Sequence, residues 1–267
     1  MGLSQARSQS RGLNCERSDN EMTARPPTAL WGIDAPLVPL PGGHRNVAFR
    51  TQGLASEVVF KSTRRSEMAL RWLDEVFDHA EASGLAVPRL RQSINGQLCE
   101  RGWTMELFLP GRPARRDELV LLAAPMRKLH EATSGFAQRP GFAGATDLAA
   151  IDGSDTGGDI DLTAMPPPLV EACRRAWCAL AEEPRGAVHG DLNPSNVLID
   201  ADGRVALVDW DEARMDAVVF DLAQVDPNKK LTRYAHRALD AWEIASSWQT
   251  EPDYARRLAY QFMKAAK

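Results

Sequence analysis

Short runs of alternating apolar and polar residues dominate the chain from Leu37 to Leu109, a pattern typical of strands. One segment in this region has helical spacing instead, with Ser66 as a good N-cap and Gly84 as a good stop. Its apolar stripe consists of Leu70, Leu73, Phe77 and Ala80. We therefore predict a hairpin of strands over 46–51 and 57–62, this helix, and then strands over 97–101 and 104–109.

After Pro110 the apolar spacing becomes helical. It predicts helices over 117–132, 169–182 and 234–267, and Pro125 should kink the first of them. Residues 141–167 are rich in Gly, Asp and Pro and predict an irregular loop. The predicted class is α+β, with a polar disordered tail over 1–25, a strand-rich lobe over 26–109 and a helical lobe over 110–267.

Composition narrows the class of protein. The chain has 267 residues, of which 44% are hydrophobic, which excludes a wholly disordered or fibrous protein. No apolar run approaches the roughly 20 residues that span a bilayer, so we expect no membrane association. Four cysteines without paired metal-site spacing favour a reducing compartment, and we expect a cytoplasmic protein.

Charge is unevenly distributed along the chain. Residues 1–140 carry 19 Lys/Arg and 15 Asp/Glu, a net charge of +4, whereas residues 141–267 carry 13 and 21, a net charge of −8. An acidic second half argues against a nucleic-acid partner. Two interpretations remain, which are scattered surface charge and a cleft with a phosphate-facing side and an acidic side. The oligomeric state is unknown from the sequence.

The run from Val188 to Trp210 carries the strongest chemical signal. Asp202-Gly203 between two apolar runs predicts a two-residue hairpin turn, and that register places Asn196 directly opposite Asp209. An amide oxygen beside a carboxylate suits a hard divalent cation such as Mg²⁺.

Asp191 lies at the foot of the same hairpin, where a carboxylate can accept a hydroxyl proton while a metal neutralises phosphate charge. His189 lies two residues earlier, and we favour a structural role in which its ring fixes the loop that carries Asp191. The alternative for this whole segment is a surface hairpin with acids placed by chance.

The segment from His189 to Asn196, His-Gly-Asp-Leu-Asn-Pro-Ser-Asn, resembles the HxDxxxxN catalytic loop of the aminoglycoside phosphotransferase and choline kinase superfamily. Asp209, in Asp-Trp-Asp, resembles the metal-binding aspartate of protein kinases. The resemblance extends over about residues 30–260. It implies a bilobal, protein-kinase-like fold with a small antiparallel β lobe, a larger and mostly helical lobe, and ATP with Mg²⁺ in the cleft between them.

The same resemblance assigns nucleotide-binding roles in the first lobe. Lys61 occupies the position of the phosphate-binding lysine and needs a carboxylate partner from the following helix. Glu67 and Glu75 compete, and we predict Glu67 because it shares the inward stripe with Leu70. The remaining nucleotide contacts implied are the loop residues Gly42, Gly43 and Asn46 and the backbone near Glu106 and Phe108. A solvated lysine, an ordinary turn and an edge strand are the respective alternatives.

Acidic residues after Asp209 complete the prediction. Asp221 resembles the aspartate that braces the catalytic loop, although it could also cap a helix. Three further acids could attract a cationic substrate or could simply be exposed; they are Asp211, Glu212 and Asp216. We expect an ATP-dependent phosphotransferase acting on a small-molecule hydroxyl of unknown identity. The alternatives are a nucleotide-binding scaffold without catalysis and, with less support from the short segment after Asp209, a protein kinase.

Overall fold

The N-terminal part of the chain folds as a five-stranded antiparallel sheet with one helix. A computed structural model describes residues 25–41, 46–150, 153–225 and 231–264. The spatial order of the strands is β1-β2-β3-β5-β4. In chain order the elements are β1 (Leu37–Leu40), β2 (Ala48–Thr51), β3 (Val58–Ser62), α1 (Glu67–Ala82), β4 (Leu90–Arg91) and β5 (Trp103–Leu107).

The hairpin and the helix predicted in this region are confirmed. Strands β2 and β3 pair antiparallel, and the Thr51 hydroxyl accepts the Val58 N–H at 2.9 Å beside the turn. The Ser66 hydroxyl caps α1 by accepting the Ala69 N–H at 3.2 Å. Gly84 follows the helix with φ +99°, a conformation that glycine adopts without strain.

The strand predicted over 97–101 is wrong. The Ser93 hydroxyl accepts the N–H groups of Asn95 and Gln97, which closes a tight turn around Gly96. A second turn at Arg101 and Gly102, both with positive φ, leads directly into β5. Local side-chain hydrogen bonds therefore replace the strand pairing that alternation alone suggested.

The remaining chain is mostly helical, with short strands on either side of the segments that carry Asp191 and Asp209. Its elements are β6 (Arg112–Pro113), α2 (Ala123–Ala132), α3 (Ala145–Ala149), β7 (Thr156–Gly157), β8 (Ile160–Asp161), α4 (Pro167–Cys178), β9 (Arg185–Val188), β10 (Val197–Ile199), β11 (Val205–Leu207), β12 (Arg214–Ala217), α5 (Val219–Val225), α6 (Arg233–Ser247) and α7 (Pro252–Lys264). Strands β6, β10 and β11 form one small sheet, and β9 pairs with β12. In the described part of the chain, no helix is long and apolar enough to cross a membrane.

Three predictions for this part of the chain need correction. The helix predicted over 117–132 is a 3₁₀ helix over Arg116–Leu122 followed by α2, so Pro125 falls in the first turn of α2, where no N–H is needed. The predicted helix over 234–267 is two helices, α6 and α7. The predicted irregular loop over 141–167 contains α3 and the hairpin of β7 and β8.

Helix α1 packs against the segment around β11 and Trp210. Its residues Trp72, Leu73 and Phe77 share one buried cluster with Leu207 of β11 and with Trp210. The Phe77 and Trp210 rings meet edge to face with centroids 5.4 Å apart. Full burial of each such side chain contributes roughly 2 kcal/mol, so α1 is fastened to the segment that follows Asp209.

Candidate active site

The hairpin that carries the predicted metal ligands forms, but its register is shifted by one position. The Val208 N–H donates to the Asn196 carbonyl at 2.9 Å. The connection uses three residues, 201–203, and Gly203 closes it with φ +80°. The predicted direct pairing of Asn196 with Asp209 is therefore wrong, and Asp209 lies one residue beyond the partner of Asn196.

Two amides hold the carboxylate of Asp191. Asn193 Nδ2 donates to Asp191 Oδ1 at 2.9 Å, and Asn196 Nδ2 donates to Oδ2 at 2.9 Å. Asn196 Nδ2 also reaches the Asp191 carbonyl at 3.0 Å. These contacts orient the exposed carboxylate and leave the Asn196 amide oxygen as the atom that can ligate a cation.

The His189 ring is a buried brace inside the catalytic loop. Its Nδ1 accepts the Asp191 N–H at 3.2 Å, so the ring proton lies on Nε2, which donates to the Val208 carbonyl at 2.9 Å. The ring is fully buried and meets Trp210 edge to face at 4.8 Å. His189 thus ties the Asp191 loop to the segment before Asp209, and its structural role stays a prediction that these contacts support.

Asp221 holds the same loop from below. Its carboxylate accepts the His189 N–H at 2.8 Å and the Gly190 N–H at 3.0 Å, and His130 Nε2 lies 2.9 Å from Oδ2. Burial alone would raise the pKa of Asp221, but the hydrogen bonds from His130 and Gly190 outweigh it and lower that pKa. The side chain is fully buried, which is the geometry that the predicted brace requires.

Asp209 and Lys61 meet in the cleft. Asp209 has a left-handed backbone with φ +63°, which is unusual for a residue with a side chain and turns its carboxylate out of the hairpin. Lys61 Nζ lies 2.5 Å from Asp209 Oδ1 and 3.1 Å from Asp211 Oδ2. Burial lowers the pKa of Lys61, but Asp211 and Asp209 outweigh that effect and raise it overall.

The predicted pair of Lys61 with Glu67 does not form. Glu67 is the first residue of α1, and its carboxylate accepts the N–H groups of Leu98 and Cys99 at 3.0 and 3.2 Å. It also pairs with Arg71 at 2.7 Å. The Glu67 carboxylate is therefore bonded to the turn before β5. The partners of Lys61 are Asp209 and Asp211, which follow β11.

Two of the three acids proposed for substrate binding have other partners. Asp216 is fully buried, pairs with Arg214 at 2.8 Å and accepts the Ala145 N–H, so it compensates a buried charge and cannot face a substrate. Asp211 contacts Lys61 and accepts a hydrogen bond from Asn46, so it faces the nucleotide side. Glu212 is half-buried at the edge of a cavity that the β7–β8 hairpin and α6 also line, and its substrate role stays a prediction.

The adenine side of the cleft differs in detail from the prediction. The Phe108 N–H donates to the Glu57 carbonyl at 3.0 Å, so it is committed to the sheet and is not free for adenine. Glu106 turns its side chain into the cavity that contains Lys61. Burial there, together with Asp211 and Asp209, raises the pKa of Glu106 to about 7, although Lys61 opposes the shift.

Gly42 and Gly43 lie outside the described residues, so their predicted phosphate contacts stay predictions. Asn46, which follows them, is within hydrogen-bond reach of Asp211. The structure also reveals Arg139, which the sequence analysis missed because a single arginine in a loop before Pro140 carries no pattern. This buried guanidinium donates to the carbonyls of Trp210, Asp211 and Ala213 at 3.2, 3.1 and 2.9 Å.

The donor set fits a hard divalent cation. Among the described residues, no group of three or more His, Cys, Asp or Glu side chains is gathered as a metal site. Mg²⁺ needs fewer protein ligands, because it commonly takes one or two side-chain oxygens and completes its shell with phosphate and water. Asn196 and Asp209 offer such oxygens at the end of one hairpin, beside the lysine that would face phosphate.

A second cavity lies beside Glu212 and Arg214, and we predict that it receives the acceptor molecule. It is bordered by the β7–β8 hairpin, Glu212 and α6, with lining residues that include Phe142, Gly158, Asp159 and Trp242. Partial burial and the carboxylates of Glu212 and Asp191 raise the pKa of Glu243, one residue from Trp242. Burial is the largest cause of this shift, and the neighbouring carboxylates add to it.

Part of the chain is similar in sequence to two homoserine kinases. Homoserine kinase from Gluconobacter oxydans is 28% identical over 198 residues, which cover 70% of this chain and 58% of that protein. Homoserine kinase from Granulibacter bethesdensis is also 28% identical, over 67% of this chain and 59% of that protein. The matched region therefore spans less than two thirds of these relatives.

Solved structures with the same fold are more distant in sequence. A microcompartment-associated aminopropanol kinase superposes with a TM-score of 0.57 at 14% identity, covering 88% of this chain and 92% of that one. A choline kinase from Streptococcus pneumoniae gives 0.56 at 12% identity, covering 87% and 93%. The α+β, protein-kinase-like fold is confirmed. Residues 36–260 match the model of the phosphotransferase enzyme family, and the chain belongs to that family.

Proposed function

We propose that this protein transfers the γ-phosphate of ATP to a hydroxyl group of a small molecule. The observation that carries the proposal is the convergence of Asp191, Asn196, Asp209 and Lys61 in one cleft, with Asp191 oriented by two amides and Asp209 beside the lysine. Base, cation ligands and phosphate-binding cation are the parts that phosphoryl transfer requires.

Each group has a role set by its position. Asp191 accepts the proton of the acceptor hydroxyl, and its two amide donors hold the carboxylate toward that oxygen. Lys61 binds the α- and β-phosphates. Asn196 and Asp209 would hold Mg²⁺, which would neutralise phosphate charge when bound. Asp221 and His189 keep the loop rigid, so that Asp191 needs little reorganisation during the reaction.

The short chain segment between Asp209 and Asp221 supports a small acceptor. Strand β12 and the start of α5 fill this short stretch, and β12 is wholly buried against β9. No long segment is left there on which a peptide could dock. The acidic groups Glu212 and Glu243 favour an acceptor that carries an amine beside its hydroxyl, and relatives named homoserine kinase and aminopropanol kinase agree with that class.

The proposal is tested by ADP release in a coupled assay with L-homoserine, 3-aminopropan-1-ol, choline and an aminoglycoside as acceptors. We expect acceptor-dependent release by the wild type, and a loss of at least about 100-fold in Asp191→Asn. Asp202→Asn, at the exposed tip of the same hairpin, is the matched control and should retain full activity. Nucleotide binding without any acceptor-dependent release would instead support the scaffold alternative.

A further inference from the structure

Lys61 needs a partner that does not compete with a metal. Asp209 lies 2.5 Å from Lys61, but Asp209 is also the carboxylate proposed to bind Mg²⁺. The face of α1 that borders the Lys61 cavity presents Leu70, Leu73 and Phe77 and offers no carboxylate. If Asp209 turned to a cation, a lysine held by Asp209 alone would lose its position.

Asp211 is placed to supply that second hold. Its carboxylate lies 3.1 Å from Lys61 Nζ, and its side chain is 24% exposed. Asn46, the last residue of the predicted phosphate loop, donates to the same carboxylate. Asp211 therefore joins the nucleotide-binding strand, the loop before β2 and the segment after Asp209 at one point.

The turn that presents Asp211 is rigidly anchored. Residues Trp210–Glu212 form a 3₁₀ turn directly after Asp209. Arg139 Nη1 donates to the Asp211 carbonyl at 3.1 Å and to the carbonyls of Trp210 and Ala213, while its Nε donates to the Ala69 carbonyl of α1 at 3.2 Å. One buried side chain therefore ties the turn that carries Asp211 to helix α1.

We infer that Asp211 is the positioning residue for Lys61 and replaces the carboxylate that the resemblance assigned to the helix. The inference rests on the proposed function. It means that the phosphate-binding lysine and the metal aspartate are held by one short segment, so Asp209 can turn to a cation while Asp211 keeps Lys61 in place. Helix α1 then contributes packing to this site and no charge.

The test measures ADP affinity by isothermal titration calorimetry with and without Mg²⁺, so it needs no acceptor. Asp211→Asn should weaken ADP binding about tenfold in both conditions, the size expected for a lost charge-assisted contact. Glu67→Gln is the matched control. Its ADP affinity should stay within about twofold of the wild type, because Glu67 contacts Leu98, Cys99 and Arg71 and not Lys61. In steady-state kinetics, Asp211→Asn should raise the KM for ATP about tenfold and change kcat by less than about threefold.

A double-mutant cycle separates positioning from a merely structural effect. In a Lys61→Met background, Asp211→Asn should cause little further loss of ADP affinity, because the contact is already gone. Asp211→Ser serves as a second neutral variant should Asp211→Asn fold poorly, and the same tenfold loss is expected.

The outcomes are distinguishable. Unchanged ADP affinity in both neutral variants, additive losses in the cycle, or an equal loss in Glu67→Gln would overturn the role of Asp211 alone. A wild-type protein that binds no ADP would overturn the proposed function as well. Normal ADP binding without phosphoryl transfer to any acceptor would refute the proposed function and leave the Asp211 assignment standing.

Discussion

Glu106 gives a prediction about stability that follows from one carboxyl group. Its side chain lines the Lys61 cavity, and burial with Asp211 and Asp209 nearby raises its pKa from an ordinary 4.5 to about 7. Between those two values the folded protein keeps a proton that the unfolded chain releases. The free energy of unfolding therefore falls as pH rises through this window.

The size of the effect follows from the shift. Each pKa unit corresponds to about 1.4 kcal/mol, so ionised Glu106 lowers the free energy of unfolding by about 3 kcal/mol once the pH is above 7. Glu106→Gln removes the titrating group. The unfolding free energy of this variant minus that of the wild type should therefore rise by about 3 kcal/mol between pH 4.5 and pH 8.

The assay is urea unfolding followed by tryptophan fluorescence at half-unit steps from pH 4.5 to 8.5. Glu118→Gln is the control, since hydrogen bonds from Arg112 and Arg115 lower the pKa of Glu118 to about 2. That group contributes stability which is lost only as pH falls toward 2, so the difference between the Glu118→Gln variant and the wild type should be flat in this window. A flat difference for Glu106→Gln as well would refute the reasoning.

Three further predictions concern the catalytic segments. Arg139→Met removes the donors to four backbone carbonyls and should cost about 3 kcal/mol or more in urea unfolding; a cost below about 1 kcal/mol would contradict the anchoring role. Gly190→Ala should lower kcat at least about tenfold, because the added Cβ would lie 2.6 Å from Arg214 Nη1 at φ +85°; wild-type kcat would contradict this. Asp221→Asn should lower kcat about 100-fold and speed hydrogen exchange at the N–H groups of residues 189 and 190; unchanged exchange would show that the brace is unnecessary.

The predictions that succeeded depended on local signals. The β2–β3 hairpin and helix α1 follow from alternation, from the Ser66 cap and from the Gly84 stop, all of which act within a few residues. The placement of Asp191 beside Asn196 follows in the same way, because five residues of one loop join them. Such features depend on residues close together in the chain, so the spacing of those residues is enough to predict them.

The predictions that failed depended on competition between distant groups. The Asn196–Asp209 register changed because the hairpin closes with three residues, a choice that Asp200 secures by accepting the N–H groups of Asp202 and Arg204. The partner of Lys61 lies 150 residues away, at Asp211, and no spacing rule could select it over Glu67.

Asp216 and Arg139 show a related limit. Their sequence signals are an ordinary acid and an ordinary base in polar stretches. Only the fold reveals that Asp216 compensates buried Arg214 and that Arg139 satisfies backbone carbonyls, because both side chains are buried by tertiary packing. A charged residue predicted to bind substrate can instead be buried and satisfy another buried charge or backbone carbonyls.

The central claim is transfer of phosphate to a hydroxyl with Asp191 as the base, and ³¹P NMR tests it most directly. The acceptor that supports ADP release is incubated with ATP, Mg²⁺ and enzyme, and the new resonance is assigned by its coupling to the protons of the acceptor carbon. We predict one phosphomonoester for each ADP formed, and none above background with Asp191→Asn although that variant still binds ADP. Equal amounts of ADP and inorganic phosphate without a phosphomonoester, or an undiminished rate in Asp191→Asn, would contradict the account.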